Sequence, residues 1–187
     1  GIDAGLRGLA VVLFRRRSSL TPSQSAGLAR VLHAPTFELV PLKNALEQAA
    51  FLPSGATVSV TASPAKGIEA TVGLCEELQG LGFRAVPHLS ARMIRDRAHL
   101  SELIAWMESA GVDRAFIVGG DAKEPGDFVD GLSLLREMAE IGHPLSEIGI
   151  PCYPQGHPDI PDEALAQALR DKGPLVQYMT MQLCFDP

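Results

Sequence analysis

Residues 56–89, ATVSVTASPAKGIEATVGLCEELQGLGFRAVPHL, contain one complete structural repeat. The opening run 56–62 is short and rich in β-branched residues, as a strand is. The middle run 67–82 places apolar residues at 68, 72, 75 and 78, one face of a 3.6-residue period, and Gly82 follows where a helix C-terminal cap belongs. The closing run 83–89 reads as a second strand. A strand, a helix and a strand in this order form a crossover unit, whose two strands lie parallel.

The same rhythm extends in both directions. Strands are expected at 36–41, 114–120, 147–153 and 176–185, and helices at 99–111 and 127–142, each helix ending near a glycine, Gly111 or Gly142. Repeated alternation implies a parallel sheet, either doubly wound or closed into a barrel. Gly119 and Gly120 are followed by Asp121 and open no dinucleotide-binding or phosphate-loop pattern, which favours the barrel. The fold expected is therefore α/β, of the (β/α)8 TIM-barrel type, with about six strand–helix units present. Two regions follow: an N-terminal helix or extension at 1–35, and the barrel domain at 36–187. Within the first, Thr21-Pro22 reads as a helix start. A full barrel usually takes about 250 residues. The expectation is thus that the C-terminal part of the barrel is missing, or that a partner such as a second copy completes it.

Composition narrows the function. A net charge of −6 and a pI near 5.3 argue against binding a phosphate backbone. The apolar run Leu9–Phe14 is too short for a spanning helix, and its arginines follow it rather than precede it as in a secretion signal. Cys75, Cys152 and Cys184 are widely spaced and form no CxxC pair, which fits a reducing cytoplasm better than a disulfide framework. The five histidines, at 33, 88, 99, 143 and 157, show no metal-ligand spacing.

In a barrel the chemistry sits at the C-terminal ends of the strands. The polar residues at those positions are Glu38, Thr61, His88, Asp121, Tyr153 with His157, and Gln182. Glu38 lies in an apolar run, where a carboxylate is costly to bury unless it is paired or functional. Asp121 could instead serve a turn, His88 could be a satisfied core histidine, and Thr61 and Gln182 could bond only to the backbone. Asp127 and Asp162 read as favourable charges at helix starts. The prolines of IPCYPQGHPDIP, 150–161, end a strand and hold off the next helix.

Taken together, TFELVP, VSVTA, VPHLS, FIVGGD, YPQGHP and MQLCFD resemble, in order and spacing, the strand-end motifs of bacterial methylenetetrahydrofolate reductases, over Thr36 to Asp186. The resemblance implies a cytoplasmic oxidoreductase that reduces methylenetetrahydrofolate to methyltetrahydrofolate, with FAD as cofactor and NAD(P)H as electron donor. It implies that Glu38 is the general acid, protonating a nitrogen of the folate's five-membered ring so that the ring opens. Such an acid needs a raised pKa, which burial in an apolar strand would supply. By the same resemblance Thr61, His88, Asp121, Tyr153 and His157 contact the flavin, Lys172 lies near the cofactor phosphates, and Asp121 and Gln182 also bind the folate or nicotinamide.

The chain departs from that pattern at several positions, among them TASPAKG, 61–67, which lacks the usual tyrosine and glycine after the threonine. Gly119 stands in place of an arginine, Gln155 of a glutamate, Met181 of a threonine and Cys184 of an aromatic residue, and Leu165 falls where an acidic contact to the flavin is usual. Loss of groups that hold the flavin keeps a second reading open: a flavin-free or noncatalytic homologue that binds folate or another one-carbon compound.

Overall fold

The computed structural model describes residues 21–182. The apolar run at 9–14, Cys184 and the end of the last predicted strand lie outside them. Two compact units are distinguished, residues 1–35 and 36–187. In the first, helix α1 (Pro22–His33) begins as the Thr-Pro pair predicts. Thr21 Oγ1 accepts from the Gln24 N–H at 3.2 Å, and the Thr21 N–H donates to Gln24 Oε1 at 2.9 Å, a reciprocal capping box.

In the second unit the elements follow as β1 (Thr36–Leu39), α2 (Ala45–Ala49), β2 (Thr57–Val60), α3 (Ile68–Gly80), β3 (Arg84–Ser90), α4 (Arg97–Ser109), β4 (Arg114–Val118), α5 (Gly131–Ile141), β5 (Glu147–Cys152), α6 (Asp162–Lys172) and β6 (Tyr178–Met181). Single 3-10 turns follow β3 and α6. All six strands are parallel, and their spatial order is their chain order. Each right-handed crossover therefore carries its helix to the same face, and the sheet curls into a half-barrel with helices outside.

The curl is visible in the pairing of β3. Residues 84–87 pair with β2, whereas His88–Ser90 pair with β4. The pairing thus shifts along β3 from one neighbour to the other, the kind of stagger that closing a sheet requires. Because the inner half of β3 has no partner strand on its β4 side, Ala85 N–H is satisfied by Gln79 Oε1 at 3.1 Å. The Gln79 amide also donates to the carbonyls of Ala110 and Gly111. One side chain of α3 therefore spans the gap.

Alternation along the strands separates the two faces. Val58, Val60, Ala85, Leu89, Ala115, Ile117, Ile148 and Ile150 face the helices and are buried. They pack against Leu74 and Leu78 of α3, Leu100 and Met107 of α4, and Leu134 and Met138 of α5. Each such side chain contributes roughly 1.5–3 kcal/mol of burial. The intervening residues face the concave side, and most are polar.

Helix α5 starts later than the expected 127. Asp130 Oδ1 accepts from the Ser133 N–H at 2.8 Å and caps it, while Asp127 lies in the preceding loop, its N–H bonded to Arg95 O. The assignment of Asp127 to a helix start is thus corrected; Asp162 does occupy the first turn of α6. The short helix α2 carries too few residues for a periodic signal and was not expected. The glycines placed as caps at 82, 111 and 142 have φ of +85°, +67° and +86°, the left-handed region that glycine favours.

Gly149 on β5 faces the concave side, and the ring of Tyr178 from its register partner β6 lies flat over it, filling the place of a side chain. Gly149→Ala is expected to displace that ring and lower stability by about 1–3 kcal/mol. A urea unfolding midpoint unchanged by the substitution would contradict this packing.

Candidate functional site

The concave face of the half-barrel encloses a cleft of about 360 Å³, whose polar and aromatic walls include Glu38, Ser59, His88, Arg114, Glu147 and Tyr178. Parallel register explains the set: Glu38 is level with Ser59, His88 with Phe116, and Arg114 with Glu147. At the mouth, where the strands end, Glu38 Oε2 lies 3.7 Å from His88 Nε2.

The two partners sit in unlike surroundings. The His88 side chain is 13% exposed and leans on the Phe116 ring, centroids 4.9 Å apart. Burial disfavours its charged form and lowers its pKa from 6.5 to about 4, so near neutral pH the imidazole is uncharged and its contact with Glu38 is not an ion pair. Glu38 is 60% exposed. Its expected burial in an apolar strand is not found, because β1 is an edge strand and only alternate residues, Phe37 and Leu39, turn toward the helices.

A second group lies beyond β4 and β5. Asp121 is exposed on the loop after β4. Tyr153 and His157 meet edge to face, centroids 5.1 Å apart. Partial burial, and after it the nearby charge of Asp121, raise the pKa of the Tyr153 phenol. His157 Nδ1 accepts from the Asp159 N–H at 3.1 Å, so in the neutral ring the proton sits on Nε2. The prolines at 151, 154, 158 and 161 bracket this turn, and Gly156 at φ +83° closes it.

The remaining candidates are dispersed around these groups. Thr61 follows β2; its N–H donates to Leu39 O and its carbonyl accepts from Thr71 Oγ1 at 2.9 Å. Lys172 ends α6 and lies by Gly131 at the start of α5; burial lowers its pKa, and Asp130 opposes that shift. Gln182 is exposed just past β6, its N–H on Cys152 O. Among the described residues no hydrogen bond or ion pair joins the Glu38–His88 pair to the Asp121–Tyr153–His157 group.

Three features were missed by sequence reading. Arg114 Nη2 donates to Glu147 Oε1 at 3.2 Å where these strands begin, and the Tyr178 phenol beside them has its pKa raised, by burial first and by Glu147 second. Both ion-pair residues open neighbouring strands, so the parallel register could have paired them. Arg92, just after β3, donates only to backbone carbonyls about 30 residues away, a target with no sequence signal.

The fold and site thus define an α/β half-barrel of parallel strands with a polar, partly aromatic cleft on its concave face. The chain matches no model of a known protein family. No helix among the described residues is long and apolar enough to cross a membrane.

The histidine gives a pH signature. Its folded pKa is depressed, so its contribution to stability is fully present above about pH 6.5 and is lost as the pH falls through about 4, by on the order of 3 kcal/mol. Urea unfolding of the protein and of His88→Asn at pH 7 and pH 4 measures it. The variant should lose less stability on acidification, and equal losses would contradict a buried neutral His88.

Proposed function

We propose that the chain is a reductase of the methylenetetrahydrofolate reductase type, built on a (β/α)8 barrel of which residues 36–182 form six parallel strands. In this reading it works in the cytoplasm and reduces methylenetetrahydrofolate to methyltetrahydrofolate with electrons from NAD(P)H. The observation that carries it is the convergence of Glu38 and His88, 3.7 Å apart, in a polar cleft on the concave face of the half-barrel. Two further strands would be needed between the free edges of β1 and β6. Exposed Met179 and Met181 on the outer face of β6 fit cover by another strand–helix unit or by a second copy of the chain.

Glu38 in this reading donates a proton from its carboxyl to a nitrogen of the folate's five-membered ring, opening it so that the methylene carbon accepts a hydride. His88 beside it is uncharged near neutral pH, so the contact between them is not an ion pair. Asp121 and Gln182 bind and orient the pterin or nicotinamide from two sides of the mouth.

The residues fit a flavin at two points. Tyr153, held edge-on by His157, offers an aromatic wall, and Lys172 is a partly desolvated cation near Asp130, suited to a phosphate. When bound, FAD would supply the relay of hydride from nicotinamide to folate. A flavin-free reading has its own support: beside Gly119 there is open space where a cofactor-holding arginine is usual, and Leu165 is half-buried and apolar.

An absorbance spectrum tests the reading. Bound oxidised flavin should be bleached by NADH and restored by methylenetetrahydrofolate, and Glu38→Gln should slow the second step by about 10²-fold or more while leaving flavin binding unchanged. Full folate reduction by Glu38→Gln would remove Glu38 as the acid. A colourless protein that reduces folate directly from NADH would select the flavin-free version, and one that neither binds FAD nor reduces folate would overturn the reductase.

A further inference from the structure

The loop 119–130, which carries Asp121 into the neighbourhood of Tyr153, is held from one direction by the segment after β3. Arg92 Nε donates to Ala122 O at 2.6 Å, Nη2 to Lys123 O at 2.8 Å and Nη1 to Val129 O at 3.3 Å, and the Arg92 N–H donates to Gly119 O at 3.1 Å. One residue thus grips the loop at its start, its middle and its end. The planar guanidinium suits this work, since its five N–H groups form a rigid fork and its charge strengthens each bond to a carbonyl.

Two glycines allow the grip. Gly120, at φ +89°, sits where any side chain would collide with Ser90 Oγ, and Gly126 packs directly on the Ile94 and Arg95 carbonyls. The Asp127 N–H then bonds to Arg95 O at 2.8 Å. Ser90 through Arg95 is therefore a cradle shaped to one conformation of the loop, and Asp121 lies inside the gripped stretch, adjacent to the carbonyl that takes the shortest Arg92 bond. The Asp121 side chain itself is exposed and has no hydrogen-bond partner among the described residues. Nothing but the backbone fixes where its carboxylate points.

We propose that Arg92 is the positioning residue for Asp121: by clamping three carbonyls of the loop it holds that carboxylate beside Tyr153. The clamp stands on these bonds alone; its consequence for folate binding rests on the reductase reading.

Tyr153 is a built-in reporter, because Asp121 is the charge that opposes its ionisation. The chain has two tyrosines, so in a Tyr178→Phe background the ultraviolet titration of tyrosinate follows Tyr153 alone. Asp121→Asn is expected to lower the Tyr153 pKa, and Arg92→Met to lower it in the same direction, while the two together add nothing further. Arg92→Lys, which keeps the charge and loses the fork, should restore the pKa only in part. An Arg92→Met protein, folded by circular dichroism, whose Tyr153 titrates like the parent would overturn the proposal, as would an Asp121→Asn change without effect. Should Arg92→Met fail to fold, hydrogen exchange of the Arg92 Nε–H in the parent protein decides: protection supports the clamp, and exchange at the solvent rate overturns it. Binding of 5-methyltetrahydrofolate is a separate readout. If the parent binds it, Arg92→Met should weaken it about as much as Asp121→Asn; equal binding by parent and Arg92→Met would overturn the proposal. If the parent does not bind it, the reductase reading fails while the titration still judges the clamp.

Discussion

Every crossover in residues 36–182 runs from one parallel strand to its immediate neighbour, and this single constraint arranges the rest. Parallel strands cannot be joined by a tight turn, so each connection is a helix, and the common handedness of crossovers sends all of them to one face. That face takes the apolar alternates of every strand, such as Val58, Ala115 and Ile148. The other face receives what is left, and the stagger within β3 bends it into a cleft. Glu38, His88, Arg114 and Tyr178 come from four strands and meet there only because the sheet is both parallel and curled.

The electrostatics of the cleft follow from how deeply each strand is enclosed. His88, on an interior strand, is covered by Phe116 and loses its charge; Glu38, on the edge strand, keeps most of its contact with water. Arg114 and Glu147 lie side by side on adjacent interior strands and neutralise each other. At the strand-end loops the ordering is done by main chain instead: proline and glycine shape the Tyr153–His157 turn, and a fan of carbonyl bonds from Arg92 shapes the Asp121 loop. The cleft is held by strand register, and its mouth by loops that are individually braced.

Much of the fold was legible because the alternation of periods is a local signal. The helix faces at 68, 72, 75 and 78, the capping glycines and all six strands could be read from residues near one another in the chain. The start of α5 was misread because Asp127 and Asp130 are equally good caps in sequence, and the Arg95 carbonyl, far away in the chain, draws Asp127 into the loop. For the site, strand ends named Glu38 and His88 each as a candidate, and their meeting 3.7 Å apart is a product of the curl. The burial of Glu38 was misjudged since an apolar run does not reveal that its strand lies at an edge. Arg92 and Gln79 were invisible for one reason: their partners are backbone atoms, which carry no residue identity.

The central claim, that the C-terminal strand ends form one ligand site, is tested most directly by backbone amide NMR on titration with 5-methyltetrahydrofolate. Saturable shifts should cluster at residues 38–39, 61–63, 88–90, 119–123, 153–157 and 182. Shifts confined to the opposite ends of the strands, near residues 57, 84, 114 and 147, or no saturable shift at all, would contradict it.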